Sequence, residues 1–567
     1  MNNKEENIIR LEVFKDLYDS ALLSVSELHD KMNRNMSQYM GSAEIDGSSE
    51  QATVVRNITY ELIETQISSD VPVPKVDVPC YSDKREQNAL NIERLCSSLR
   101  DRLPFEEMND RDERYTYIYG GSVWYVEWDN VESSAKIHCI SPFDFIPQPG
   151  ICSVGDMEYC FLRFTTTKGE LMRKYGVKES DTALADCEYS YGTASGSDTV
   201  TVIVCFYRDE DGEIGRFVFS GDLILSDEPR YYKRKTEFCL NCHKPRQKCS
   251  CDKPQFKKLD DDIEVITDGC VPGIKAINYY TPREFPIVIR KNNQGENSLY
   301  GGSDCERIRA QQQALNKVES RILQKLIRAG ITPIIPENST VTLTNAVFGQ
   351  VIKMRAGEST QNYGKIDTTP DISQDIKEAD RLYDQAKRVL GISDALQGTD
   401  NLSSTESGYA LQIKINQATS RLESKRRLKY LAYSEIYRQV FQHYLAFSDE
   451  PRPLCYKDAF GEVHLSEFNK HDFIESDGYG GFFYSDYYLF SVDLNGGSEY
   501  QRETLWERNL ANLESGTLGD KTKPSTLLRY WQSQEKAHYP YARENVEYFK
   551  TLVEKENTKE SEKSNEK

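Results

Sequence analysis

The sequence predicts an α+β, multidomain chain, and three observations carry that expectation. Its 567 residues exceed what one hydrophobic core usually organises. Long stretches with apolar residues three and four apart read as amphipathic helices. Between them, stretches rich in β-branched and aromatic residues, separated by turn residues, read as strands.

Residues 8–40 read as the first helix, from Ile8, Leu11, Phe14 and Leu17. Residues 54–68 read as the second, from Val54, Ile58 and Leu62, with Ile63 and Ile67 widening the stripe. "SSDVPVPKVDVP" then runs extended, because each of its three prolines disfavours helix at and before it. Residues 85–118 return to helix. Strands follow in "SVWYVEWD", "AKIHCISPFDFIPQ", "MEYCFLRFT", "TVTVIVCFYRD" and "IGRFVFSGDLILS", with "DEDGEIG" as a hairpin turn. The helix "KGELMRKYG" at 168–176 interrupts them and stops at Gly176.

Residues 303–329 carry the clearest helical pattern. Ser303 and Glu306 have capping-box spacing, and Ile308, Leu315, Val318, Ile322 and Leu326 form a narrow apolar stripe. Six basic residues (Arg307, Arg309, Lys317, Arg321, Lys325, Arg328) outnumber three acidic ones. A narrow stripe leaves most of the circumference polar, which suits a helix standing in an assembly. Short strands at 331–370, a second helix at 371–390 and a polar loop at 391–404 come next. Helical periodicity then runs from 404 to 447, about 65 Å if continuous. Residues 451–500 are aromatic-rich and strand-like, 499–553 read as helices around "GTLGDKTKPS", and 554–567 lack apolar residues and read as disordered.

Composition narrows the function classes. Hydrophobic residues make up 38% and charged ones 28%, a globular balance, and no run of eighteen apolar residues is present to cross a bilayer. "MNNKEENIIRLEVF" lacks the basic-then-apolar order of a signal peptide, so the chain is expected in the cytosol. Its fourteen cysteines are then expected as thiols; Cys139, Cys160 and Cys205 sit in apolar runs and read as core residues. A net charge of −19 argues against coating nucleic acid by bulk attraction. Residues 233–258 reverse that sign locally, with nine Lys/Arg against Glu237 and Asp252.

Within that basic stretch, "FCLNCHKPRQKCSC" places Cys239, Cys242, Cys249 and Cys251 as four soft ligands within thirteen residues. Zinc favours four sulfur or nitrogen ligands in a tetrahedron, and a CxxC pair grips one ion from a tight turn. A thiolate-saturated zinc has no open position for water, so the expected metal is structural. Phosphate-loop, dinucleotide-binding and HExxH patterns are absent, as is GxSxG. The seven histidines lie far apart, and no carboxylate constellation rises above ninety acidic residues. A non-enzymatic role is expected.

Five stretches, in order, resemble the portal (head-to-tail connector) proteins of tailed bacteriophages. They are "RNITYELIETQISSDVPVPKV", "DERYTYIYGGSVWYVEWD", "IHCISPFDFIPQPGICSVGDMEYCFLRFTTTKGELMRKYG", "FPIVIRKNNQGENSLYGGSDCERIRAQQQALNKVESRI" and "GISDALQGTDNLSSTESGYALQIKINQATSRLESKRRLKYL". In the fourth, a proline-led strand, a Tyr-Gly-x-Ser-Asp step and a helix bearing Gln311–Gln313 and Asn316 resemble the family pattern most closely. The likeness covers roughly residues 50–450.

The resemblance implies a wing, stem, clip and crown subunit that forms a ring, usually of twelve copies, at one capsid vertex of the virion. Residues 1–302 correspond to the wing, with 233–258 as a local insertion that is not a general family feature. Residues 303–329 correspond to the first stem helix, 330–370 to the clip and 371–390 to the second stem helix. The channel loop falls at 391–404, the long wing and crown helix at 405–450, and 451–553 adds wing and crown. Double-stranded DNA passes through such a ring during packaging and ejection, while a separate terminase large subunit hydrolyses ATP. Major capsid, scaffolding and head-tail adaptor proteins are the further partners, and assembly takes place in host cytoplasm. On the channel loop, Leu396, Gln397 and Asn401 are the expected DNA contacts. Arg309, Lys317, Arg321, Lys325 and Arg328 supply the stem's basic positions. Two other readings remain open from residues alone: a zinc-dependent nucleic-acid-binding or processing enzyme, and an intracellular scaffold.

Overall fold

The structure is a computed structural model. It describes residues 3–42, 54–79, 82–130, 132–185, 199–232, 237–239, 256–258, 263–265, 276–295, 298–327, 331–334, 342–346, 349–353, 364–367, 370–393, 397, 408–448, 450–457, 463–492, 499–536 and isolated positions between 539 and 555. Among these the chain is α+β. Helices and sheets are both extensive, and every pairing between described strands is antiparallel.

The N-terminal helix, Asn3–Tyr39, buries Leu11, Phe14, Ala21 and Val25, spaced near the 3.6-residue turn. These residues cover one face of a five-stranded meander, Phe145–Pro147, Tyr159–Thr167, Thr199–Arg208, Ile214–Ser220 and Leu223–Glu228, in that order. Alternation decides the faces. Phe161, Ile203, Cys205, Phe217 and Phe219 meet the helix, while Cys160, Leu162, Val204, Phe206 and Val218 enter the main core on the other side. Asp209 closes one hairpin by accepting from the Asp211 and Glu213 amides with its Oδ1, and Gly212 has φ +78°. The helix Lys168–Tyr175 ends on Gly176 at φ +68°, as its sequence dictates. Cys139, Cys160 and Cys205 are buried thiols.

A second sheet has the order Ile287–Lys291, Gly121–Asp129, Ser134–Ile140. The long helix, Gly408–Phe447, lies against it, with Tyr433 edge-on to Trp124 at 5.4 Å and Phe447 stacked on Trp128 at 5.7 Å. Pro74–Asp77, the extended proline-rich stretch, pairs with Leu489–Val492 from near the other end of the chain.

Three helical expectations need correction. The stretch 54–68 is helical only over Ile58–Glu64, because Asn57 caps it by accepting from the Tyr60 amide at 3.0 Å. The Val54 amide is instead donated to Ser320 Oγ. The stretch 85–118 is two helices, Asp83–Arg102 and Phe105–Tyr119, divided at Leu103 and Pro104; proline disfavours helix at the residue before it. The stretch 303–329 breaks at Ile308, leaving Asp304–Arg307 and Arg309–Ile327. Ser303 does cap, but by accepting from the Cys305 amide at 3.1 Å, and its own hydroxyl donates to the Ile118 carbonyl at 2.6 Å. That long-range bond replaces the reciprocal box with Glu306.

Candidate functional site

Helix Arg309–Ile327 packs against helix Ser373–Leu390. Their seam is narrow: Leu315 and Val318 meet Ala379, Leu382, Ala386 and Leu390, with Ile58 and Leu62 closing the base. Between the helices the chain forms two antiparallel pairs, Ile331–Ile334 with Gly364–Asp367 and Thr342–Ala346 with Gly349–Lys353. Gly391 ends the second helix at φ +77°. The order helix, β module, helix, long helix is therefore present, with residues 394–396 and 398–407 of the intervening loop outside the described residues.

The pair is mounted on a buried junction built from segments far apart in sequence. Gly120 ends helix Phe105–Tyr119 at φ +93°, and its carbonyl accepts from the amides of Asn292 (3.0 Å) and Gly301 (2.9 Å). A Cβ on Gly120 would lie 2.2 Å from the Gly301 oxygen, and one on Gly301 would lie 2.5 Å from the Asn293 oxygen. Two Tyr-Gly-Gly steps thus cross with no room for a side chain at Gly120, Gly121 or Gly301. Beside them Asn292 Nδ2 donates to Asp304 Oδ1 at 2.9 Å. Gln312, 4% exposed, accepts from the Thr59 amide and donates to the Arg56 carbonyl and to Asn316.

Three cations neutralise three carboxylates inside this junction. Arg290 meets Asp112 and Glu113, Lys429 meets Glu113 at 3.0 Å, and Lys425 meets Asp304. Asp112 also accepts from Ser122 and from Trp124 Nε1. Burial alone would raise the Glu113 pKa; Arg290 and Lys429 outweigh it and hold the carboxyl below its ordinary value. Burial pushes the Lys425 pKa down against the pull of Asp304. A set of acids so fully paired serves to fix elements together. It presents no poised acid or base.

The stem's basic positions have different fates. Arg309 is taken up by Asn35 and Gln38 of the N-terminal helix. Arg321 and Lys325 both pair with the buried Asp375, clamping the two helices together. Lys317 is exposed, and Arg328 lies outside the described residues. Of the loop positions, Gln397 donates to Tyr383 Oη at 2.9 Å and to Glu61 at 3.3 Å; Leu396 and Asn401 lie outside the described residues.

Cys239 ends the strand Glu237–Cys239, which pairs with Phe256–Lys258 so that Cys239 faces Phe256. This antiparallel pair closes the chain segment that contains Cys242, Cys249 and Cys251, all three outside the described residues. Among the described residues no group of three or more His, Cys, Asp or Glu is arranged to hold a metal, and no helix is long and apolar enough to cross a membrane.

The buried junction escaped sequence reasoning. Its one visible signal was the repeated Tyr-Gly-Gly in "IYGGSV" and "LYGGSD". Compared with known protein families the chain matches none, and no curated protein is a detectable relative.

Proposed function

We propose that the chain is a portal-type subunit, assembling as a ring of about twelve copies through which double-stranded DNA is packaged and later ejected at a capsid vertex. The observation that carries this reading is the mounting of the helix pair. Apart from the third, which lies in the sheets, the motifs that resemble the portal family, separated by up to hundreds of residues, meet at one buried junction. From it project two helices with a β module at their far end and a loop leading into a long helix.

Physical chemistry supports the same reading. A DNA conduit must guide a polyanion with about one charge per 1.7 Å without holding it. The stem's cations are mostly consumed by internal partners, so the pair does not offer a continuous basic track. The exposed apolar residues Leu326, Ile327, Ile376 and Val389 on the pair gain partners when copies stand side by side. In this reading the terminase docks on the β module and supplies the ATP hydrolysis, and the chain itself catalyses no reaction. The cysteine segment holds structural zinc: four thiolates are the donor set zinc prefers, and the Cys239–Phe256 pairing brings the ends of their segment together.

Single-particle imaging and native mass spectrometry of the purified chain test the proposal. A closed ring with an opening wide enough for duplex DNA is expected. A monomer at every concentration, with no opening in any assembled particle, overturns it.

A further inference from the structure

The N-terminal helix, Asn3–Tyr39, covers the meander with one face, and its opposite face carries an ordered pattern. Ile9, Asp16, Leu23 and Asp30 stand seven residues apart and are all exposed. That spacing puts them on one line along the helix, drifting by about 20° at each step, with successive members about 10 Å apart. Apolar and acidic side chains alternate along it. Val13 and Glu27 flank the line on one side, Glu12 and Asp19 on the other, and these too are exposed. Leu23 is 75% exposed. Arg10 and Lys15, the Lys and Arg residues of this stretch, turn to the edge of the sheet and pair with Asp227 and Asp222. Among the described residues no cation pairs with Glu12, Asp16, Asp19, Glu27 or Asp30. The face is therefore acidic and punctuated by apolar anchors.

The alternation decides what can cover it. A second copy of the same helix does not fit. In parallel register it sets Asp16 against Asp16 and Asp30 against Asp30. Shifted by seven residues, it sets Asp16 against Ile9 or Leu23. Run antiparallel, it pairs Asp16 with Leu23, with itself or with Asp30. Each arrangement buries a carboxylate without a cation, which is costly. Nucleic acid and anionic lipid carry the wrong charge. A helix that alternates cations with apolar side chains at the same spacing satisfies every position. Its Lys or Arg residues meet Asp16 and Asp30, its apolar residues meet Ile9 and Leu23, and Glu12, Asp19 and Glu27 form an acidic rim that orients it.

We propose that this face is a docking surface for a basic amphipathic helix of a different protein, one that alternates Lys or Arg with apolar side chains every seven residues. Its seat on the meander holds the face straight before the partner arrives, which lowers the ordering cost of binding. The inference concerns a single subunit and does not depend on the ring reading above.

Fluorescence anisotropy with the full chain tests it. The probe is a labelled synthetic helix of about 28 residues, long enough to span the face, with Leu and Lys alternating at seven-residue spacing on an Ala/Gln background. A shuffled peptide of the same composition is the control. Saturable binding with a Kd on the order of micromolar is expected, with the shuffled peptide at least about tenfold weaker. Leu23→Gln should raise the Kd at least about tenfold, and Asp16→Asn about threefold. Asp16→Lys with Asp30→Lys should abolish binding of this probe and create binding of a second one in which Glu replaces Lys. Leu465→Gln, at an equally exposed leucine of another element, should change nothing. Absence of binding overturns the proposal, as does equal binding of the shuffled peptide or indifference to Leu23→Gln. Self-association of the chain that Leu23→Gln abolishes also overturns it, because the face would then belong to a second copy.

Discussion

Gly120 sits directly against the Gly301 carbonyl, in a left-handed conformation that leaves no room for even one added carbon. Gly120→Ala combines that clash with a disfavoured φ, so it is expected to cost more than about 4 kcal/mol. Gly150 offers the control. It has φ +79° with open space around it, and Gly150→Ala should cost only about 1 kcal/mol. Thermal melting of the two variants, together with their soluble yield, checks the contrast; equal effects would mean the crossing is not tight.

Arg290, 2% exposed, holds two buried carboxylates at once. Arg290→Met strips Asp112 of its only cation partner among the described residues while leaving Ser122 and Trp124 in place, at an expected cost of about 3–5 kcal/mol. Adding Asp112→Leu removes the stranded charge, and the double variant should recover a large part of the loss. Denaturant midpoints for the single and double variants measure this. A double variant no better than the single one would show that the pairing itself supplies the stability.

His443 is buried to 1% exposure. Its Nδ1–H donates to the Gln439 carbonyl, and its Nε2 has no hydrogen-bond partner among the described residues. Burial lowers its pKa from 6.5 to about 4, against a smaller upward pull from Gln439. Between those values the unfolded chain binds the proton and the folded chain does not. Stability is therefore fully present above pH 6.5 and falls as the pH drops towards 4, by about 3 kcal/mol for this group. His443→Leu should flatten the decline of melting temperature across that window. His29, lowered to about 4 by burial and by Arg163, keeps part of the slope, so flattening is partial.

Zinc analysis of the purified chain is expected to find one ion per subunit. Cys239→Ser with Cys242→Ser should abolish it. Chelation should lower the protease resistance of residues 233–258 while the core containing Trp124 and Phe206 melts unchanged, as expected of a local staple. A metal-free wild type refutes the assignment.

Local chemistry made most elements legible from sequence. The stop at Gly176, the turn at 209–213 and the burial of Cys139, Cys160 and Cys205 each depend on a few neighbouring residues. The break at Leu103 and Pro104 was equally local, yet the apolar spacing on either side masked it. Long-range partners were not legible. Ser303 had a plausible local partner in Glu306, and only the fold offers it Ile118 instead. Lys425 and Lys429 lie in the basic run "SKRRLKYL", and nothing in the sequence separates them from Arg427, which stays 71% exposed beside Glu423. Asp304 is only one of three acidic residues along 303–329 in the sequence, because its partners, Lys425 and Asn292, lie 121 and 12 positions away.

The five-stranded meander pairs each strand with its immediate successor, whereas the helix that roofs it comes from the first 39 residues. During synthesis that helix leaves the ribosome before its seat exists. Phe14, which stacks on Phe217 at 4.5 Å, must therefore wait for a partner translated some two hundred residues later. At about 5–20 residues per second this is on the order of ten to forty seconds, a window in which a chaperone that grips amphipathic helices would find its target in Asn3–Tyr39.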